Sequence, residues 1–254
     1  MILSTMRNLT GSYALRPIAL FATLVVLGCG GESGQAQSSD PPVTSSDAIQ
    51  DAPYDNSQEM FDLSELGIDE GSLMTFAIGV VDFSDFGCIF CATFHVSDYP
   101  VLYDEFVSSG DILWKYVPIS IGGFPNGDLA GVTGICADEL GRAEAFARMR
   151  DHLFENRDEW LGATPSDAPG IFISYAESLG LDLAAFRACF EGAAAADRLD
   201  RNNQMAQQVG VTATPTFIVQ GTPVRGAPPL ADFQQALRRL IDQVRSEPPT
   251  SAPD

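Results

Sequence analysis

The stretch FSDFGCIFCATF, residues 83–94, constrains this chain more than any other. Two cysteines, Cys88 and Cys91, stand three apart where a short apolar run, Phe76-Ala-Ile-Gly-Val-Val-Asp-Phe83, gives way to a helix-like pattern. That run reads as a buried strand and Ser84 to Gly87 as a turn, and a helix is expected from Cys88 to about Val107. A helix N-terminus offers unpaired N–H groups and positive dipole charge, and both favour a thiolate over a thiol. Cys88 is therefore expected to be an exposed nucleophile of lowered pKa, and Cys91, one turn further, a partly buried resolving thiol. A metal clamp and a structural staple are the other uses of such a pair. A metal site needs two more ligands, yet there is no second Cys-x-x-Cys and only two histidines, His95 and His152. Two thiolates with His95 close by would suit Cu(I), so a non-enzymatic, copper-handling protein is the alternative.

The rest of the chain supplies a frame for this junction. Asp111-Ile-Leu-Trp-Lys-Tyr-Val-Pro-Ile119 reads as a second strand, and its distance from the first leaves room for one helical crossover, which predicts a parallel β-α-β unit. From Asn126 to about Val209 apolar residues recur at helical spacing: Leu129, Val132, Cys136 and Leu140, then Phe146, Met149 and Leu153, then Leu183, Phe186 and Phe190. Asp182 is placed to cap the last of these helices. Thr216–Val219 and Val224–Gly226 flank a short turn and predict a hairpin, and an amphipathic helix follows from Leu230 to Val244. Pro215 stands one residue before the hairpin, where a cis bond is possible.

Taken together, VVDFSDFGCIFCATFH, a helical stretch and VTATPTFIV resemble the thioredoxin superfamily, and within it the DsbA-like branch, over about Leu63 to Val244. The resemblance implies an α/β, thioredoxin-like fold with an inserted helical domain. It implies that Thr214 and a cis Pro215 lie beside the dithiol and hold the substrate backbone. It also implies that Asp82, six residues before Cys88, is buried under the dithiol as a proton acceptor, a role that suits a buried carboxylate; an edge-strand Asp facing water is the other possibility. The pair between the cysteines, Ile89-Phe90, departs from the Pro or His often found in this family, so oxidising power is not inherited. Phe90 is expected to add to an apolar face for clients. His95 is expected to be a half-exposed helix residue, with tuning of the thiolate as its other role.

The chain's beginning bears on where this chemistry takes place. Residues 1–29 carry Arg7, Arg16 and no acid, then an apolar run from Ile18 to Gly28 that is too short to span a bilayer. Its end, VVLGC, resembles the lipobox of bacterial lipoproteins, which implies acylation of Cys29; an ordinary cleaved signal or an uncleaved anchor is the alternative. Residues 30–60 are rich in Ser, Gln, Asp, Gly and Pro and read as a disordered tether, and 246–254 as a disordered tail. Between them lie the thioredoxin-like domain in two parts, 61–125 and 209–245, and the insert, 126–208. With Cys29 acylated, four of the five cysteines remain for an oxidising compartment, which favours a structural disulfide between Cys136 and Cys189 over two buried free thiols. The net charge of −20 and the single lysine, Lys115, argue against nucleic acid as a partner.

These features lead to a lipid-anchored thiol–disulfide oxidoreductase of the bacterial envelope, on its periplasmic or other extracytoplasmic face. Exchange requires no organic cofactor and no metal. It requires protein clients with thiols or disulfides, and a membrane redox partner that recycles the dithiol. The direction of electron flow stays open.

Overall fold

A computed structural model describes residues 67–72 and 76–246. The expected signal, acylated Cys29 and tether lie outside the described residues, as does the tail beyond Ser246. Five strands make up one mixed sheet: β1 (Ile68–Glu70), β2 (Ile78–Asp85), β3 (Ile112–Ile119), β4 (Thr216–Val219) and β5 (Thr222–Arg225), in the order β1-β3-β2-β4-β5. β2 and β3 run parallel, as a β-α-β unit requires, with Asp82 opposite Tyr116. β4 lies antiparallel on the other side of β2, with Asp82 opposite Phe217. Asp82 is thus on the central strand, and the edge-strand alternative is excluded.

Differences from the sequence-based expectation concern β1, the bounds of β2 and the hairpin, whose second strand begins at Thr222 and not at Val224. β1 has the sequence Ile-Asp-Glu, too short and too charged to show an apolar period, and pairing with Tyr116, Lys115 and Trp114 creates it. β2 runs two residues further than expected, through Ser84 and Asp85, because both pair with β3. The hairpin between β4 and β5 turns on Gln220 and Gly221, both at positive φ (46° and 79°), the geometry whose twist suits a two-residue connection.

The expected helix after Cys88 is present but uneven. It comprises α1 (Ile89–Thr93), a π-helical turn (Phe94–Asp98), α2 (Tyr99–Leu102) and a second π-helical turn (Tyr103–Val107). Pro100 cannot donate to the Val96 carbonyl, so the regular ladder is interrupted there and wider closures flank it. Phe94 anchors the segment to the sheet, its ring centroid 4.8 Å from Phe217 and 6.0 Å from Trp114. The same face buries Phe233, Leu237 and Ile241 of the C-terminal helix, whereas Phe83, Val117 and Ala206 form a separate cluster.

Between β3 and β4 come the helices of the insert: α3 (Gly127–Glu155), α4 (Arg157–Gly162), α5 (Ala168–Ser178), α6 (Leu183–Phe190) and α7 (Ala193–Gln208). The C-terminal helix is α8 (Leu230–Ser246), which runs one residue into the expected tail. α3 is broken at Arg142 (φ 60°, ψ −163°), which explains why Leu140, expected on its apolar stripe, is exposed. Asp182 caps α6 as expected, accepting from Ala184 N at 2.9 Å and Ala185 N at 3.0 Å.

Cys136 on α3 and Cys189 on α6 are disulfide-bonded, with a Cα–Cα distance of 5.8 Å. The bond spans 53 residues, so on loop-entropy grounds it contributes about 4 kcal/mol. The Cys136→Ser/Cys189→Ser protein is therefore expected to unfold at a clearly lower urea concentration. An unchanged midpoint would contradict that.

Candidate active site

The dithiol sits where β2 enters α1. Cys88 is the N-cap residue of α1 in an extended conformation (φ −78°, ψ 124°), and its N–H donates to the Asp85 carbonyl at 3.0 Å. Asp85 holds this turn from both sides. Its carboxylate accepts from Gly87 N at 2.8 Å, Gly122 N at 3.0 Å and Ile121 N at 3.1 Å, tying the β2 exit to the loop after β3. Gly87 is required here, because a Cβ at that position would lie 2.4 Å from the Phe124 ring.

Cys88 and Cys91 are both free thiols and both buried. Burial is deeper than the sequence suggested: Cys88 is 5% exposed and Cys91 fully covered. The cover comes from a segment 126 residues away, since Cys88 Sγ lies 3.3 Å from the Thr214 carbonyl oxygen, to which its thiol donates. The Thr214–Pro215 peptide is cis. Ile89 and Phe90, between the cysteines, are 53% and 69% exposed and leave an apolar rim around the site.

The two thiols are electrostatically unequal. A hydrogen bond from the Cys91 thiol is the largest influence on Cys88, and together with hydrogen bonds from the Thr214 side chain and the Cys91 and Phe90 amides it outweighs burial and lowers the Cys88 pKa to about 5. Burial pushes the Cys91 thiol well above its ordinary value, and its bond to Cys88 and the negative charges of Cys88 and Asp82 push it the same way. One sulfur is thus prepared as a thiolate, the other as a thiol.

Asp82 is fully buried and accepts from Ser84 Oγ at 2.6 Å, His95 Nε2 at 2.9 Å and Trp114 Nε1 at 3.4 Å. His95 is therefore not the half-exposed residue expected. It is buried, stacked on Phe154 at 4.9 Å, and burial holds its pKa below the ordinary value, so it is neutral and donates through Nε2. The wide turn at Phe94–Asp98 is what carries it inward. The copper-handling alternative drew on this imidazole; its Nε2 faces Asp82, and its Nδ1 is buried without a hydrogen-bond partner. Among the described residues no cluster of three or more His, Cys, Asp or Glu side chains suited to a metal forms.

A thioredoxin family model matches residues 77–239, more than half of the chain. The chain belongs to the thioredoxin family. The crystal structure of Wolbachia pipientis alpha-DsbA1 superposes with a TM-score of 0.61 at 17% identity, covering 70% of this chain and 92% of that one. In sequence the chain is similar to disulfide bond formation protein D of Bacillus subtilis, 19% identical over 67% of this chain and 74% of that protein. It is also 28% identical to the Na(+)/H(+) antiporter NhaA 3 of Salinispora tropica over 67% of this chain, but spans only 24% of that protein's length. The thioredoxin-like fold with a helical insertion, expected from sequence, is the fold observed. Of the residues singled out beforehand, Cys88, Cys91, Thr214 and Pro215 meet at one point and Asp82 lies buried on the strand that leads to it, whereas Cys136 and Cys189 are bonded within the insert. Asp85, Ser84 and Trp114 were missed. Asp85 lies within the motif itself, and a buried-strand pattern ending in an acid was the available signal.

Proposed function

We propose that this thioredoxin-family chain is a thiol–disulfide oxidoreductase that passes its Cys88–Cys91 disulfide to protein clients. The observation that carries this is the unequal pair of thiols set against the Thr214 carbonyl beside a cis proline. A client thiolate attacks Cys88 Sγ, the Cys88–Cys91 bond breaks, and its electron pair goes to Cys91, which takes up a proton. A second client thiolate then attacks the client sulfur of the mixed disulfide and expels Cys88 as a thiolate. The client loses two electrons, and the dithiol holds them until a membrane redox partner accepts them. The low pKa makes Cys88 a good leaving group and stabilises the reduced state, which favours this direction. In the reverse direction Cys91 must lose its proton, and Asp82, hydrogen-bonded by His95, is the acceptor we assign. Phe90 and Ile89 offer clients an apolar surface, and Thr214 and Pro215 offer backbone. The apolar run before Cys29 supports export and a lipid anchor on the extracytoplasmic face of the envelope.

The reduction potential tests the direction. A value above roughly −200 mV is expected for an oxidant, and one far below the glutathione pool would overturn it. Thiolate absorbance should titrate with a midpoint of about 5 against the ordinary 9.0. Since the folded pKa is the lower one, ionisation of Cys88 stabilises the reduced protein fully above pH 9.0, and this contribution is lost as pH falls through about 5. The oxidised protein has no such titration, so the stability gap between the two forms should change with pH across that window. A gap independent of pH would contradict the assignment of Cys88 as the thiolate.

A further inference from the structure

The peptide joining Gly87 to Cys88 is held at both ends. Its N–H, on Cys88, donates to the Asp85 carbonyl at 3.0 Å. Its carbonyl, on Gly87, accepts twice from a single guanidinium, Arg157 Nε at 2.8 Å and Nη2 at 2.5 Å. Arg157 is the first residue of α4, 70 positions later in the chain and inside the insert. Its side chain is 16% exposed, and its remaining contact is Nη1 with the Asp158 carboxylate at 3.1 Å, a group that is 97% exposed. Nε and Nη2 are therefore left for Gly87.

Nothing else in the insert orients this peptide so directly. Phe86 packs on Phe154 at 5.0 Å, a contact that fills space but sets no direction for the following carbonyl. Gly87 has no side chain with which to brace the turn, and Phe124 leaves no room for one. A planar fork placing two donors on one oxygen does set a direction. Rotation of the Gly87–Cys88 peptide would swing the Cys88 side chain away from Thr214 and from the first amides of α1.

We propose that Arg157 is a positioning residue for the dithiol, through which the helical insert orients Cys88 and sets its reactivity. This rests on Cys88 being the nucleophile. It assigns the insert a part in the chemistry.

The test uses the reduced full-length chain carrying Arg157→Met or Arg157→Lys. Thiolate absorbance is followed against pH, and alkylation by iodoacetamide is timed at the midpoint of the unsubstituted protein's titration. Arg157→Met is expected to move the titration upward and to slow alkylation at that pH about three- to tenfold. Arg157→Lys, with one point donor in place of a fork, should show a smaller shift of the same sign. A purely structural role would lower the melting temperature and leave both readouts unchanged, and unchanged readouts in Arg157→Met overturn the proposal. If Arg157→Met does not fold, Arg157→Lys decides alone: an upward shift supports the proposal and an unshifted titration overturns it. Both readouts report Cys88 itself and not client turnover. Absence of client exchange in the unsubstituted protein would therefore remove the proposed function while leaving this result standing.

Discussion

Cys91→Ser protein mixed with a disulfide-containing client is expected to accumulate a mixed disulfide through Cys88, visible as a reducible band on a non-reducing gel. Cys88 needs no second thiol to attack, and in this variant Thr214 and the first amides of α1 still favour its thiolate, although the largest influence, the Cys91 thiol, is gone. Release is a different matter. An intramolecular thiol has an effective concentration of up to about 10⁵ M, so losing Cys91 should slow resolution on the order of 10³-fold or more. Cys88→Ser should form no adduct and retain no measurable exchange, since the remaining thiol is fully buried and pushed well above its ordinary pKa. An equal yield of adduct from the two variants would refute the division of labour between the two sulfurs.

Arg150→Met is expected to cost about 3–5 kcal/mol of stability, the range for removing one partner of a buried ion pair. Arg150 Nη1 is paired with the Glu70 carboxylate, both side chains are about 95% buried, and Tyr99 Oη donates to Glu70 at 3.0 Å. Burial already raises the Glu70 pKa, with Arg150 the largest opposing influence. Without Arg150 the carboxyl is driven further towards its neutral form. A carboxyl whose folded pKa is raised is easiest to accommodate below its ordinary 4.5, and stability is lost as pH rises through the folded value. The deficit of Arg150→Met should therefore be larger at pH 8 than at pH 5. Adding Glu70→Gln should recover most of it, because no uncompensated charge remains. Denaturant midpoints of the single and double variants at both pH values measure this. A deficit that ignores pH, or one that deepens in the double variant, would rule out the buried charge as its cause.

How much could be read beforehand depended on distance along the chain. The dithiol, the strand before it and the helix after it lie within a few residues of one another, where hydrophobic period and turn chemistry carry the information. Thr214-Pro215 was legible because a recognisable stretch frames it. Asp85 and His95 were harder, since an acid near a turn and a histidine on a helix usually face water. Their burial follows from pairing to β3 and from the wide turn at residues 94–98. β1 had no signal of its own.

By itself the sequence determined the strand–turn–helix setting of the two cysteines, which depends on local spacing and residue type, whereas the fold class and the Thr214-Pro215 segment were read from resemblance to a family. Tertiary structure alone decided how those sulfurs are tuned. Cys88 meets Thr214 across 126 residues, its preceding carbonyl meets Arg157 across 70, and Asp82 meets Trp114 across 32. A hydrogen bond between residues that far apart leaves no periodicity in the chain, and it exists only once the core has brought the two segments together.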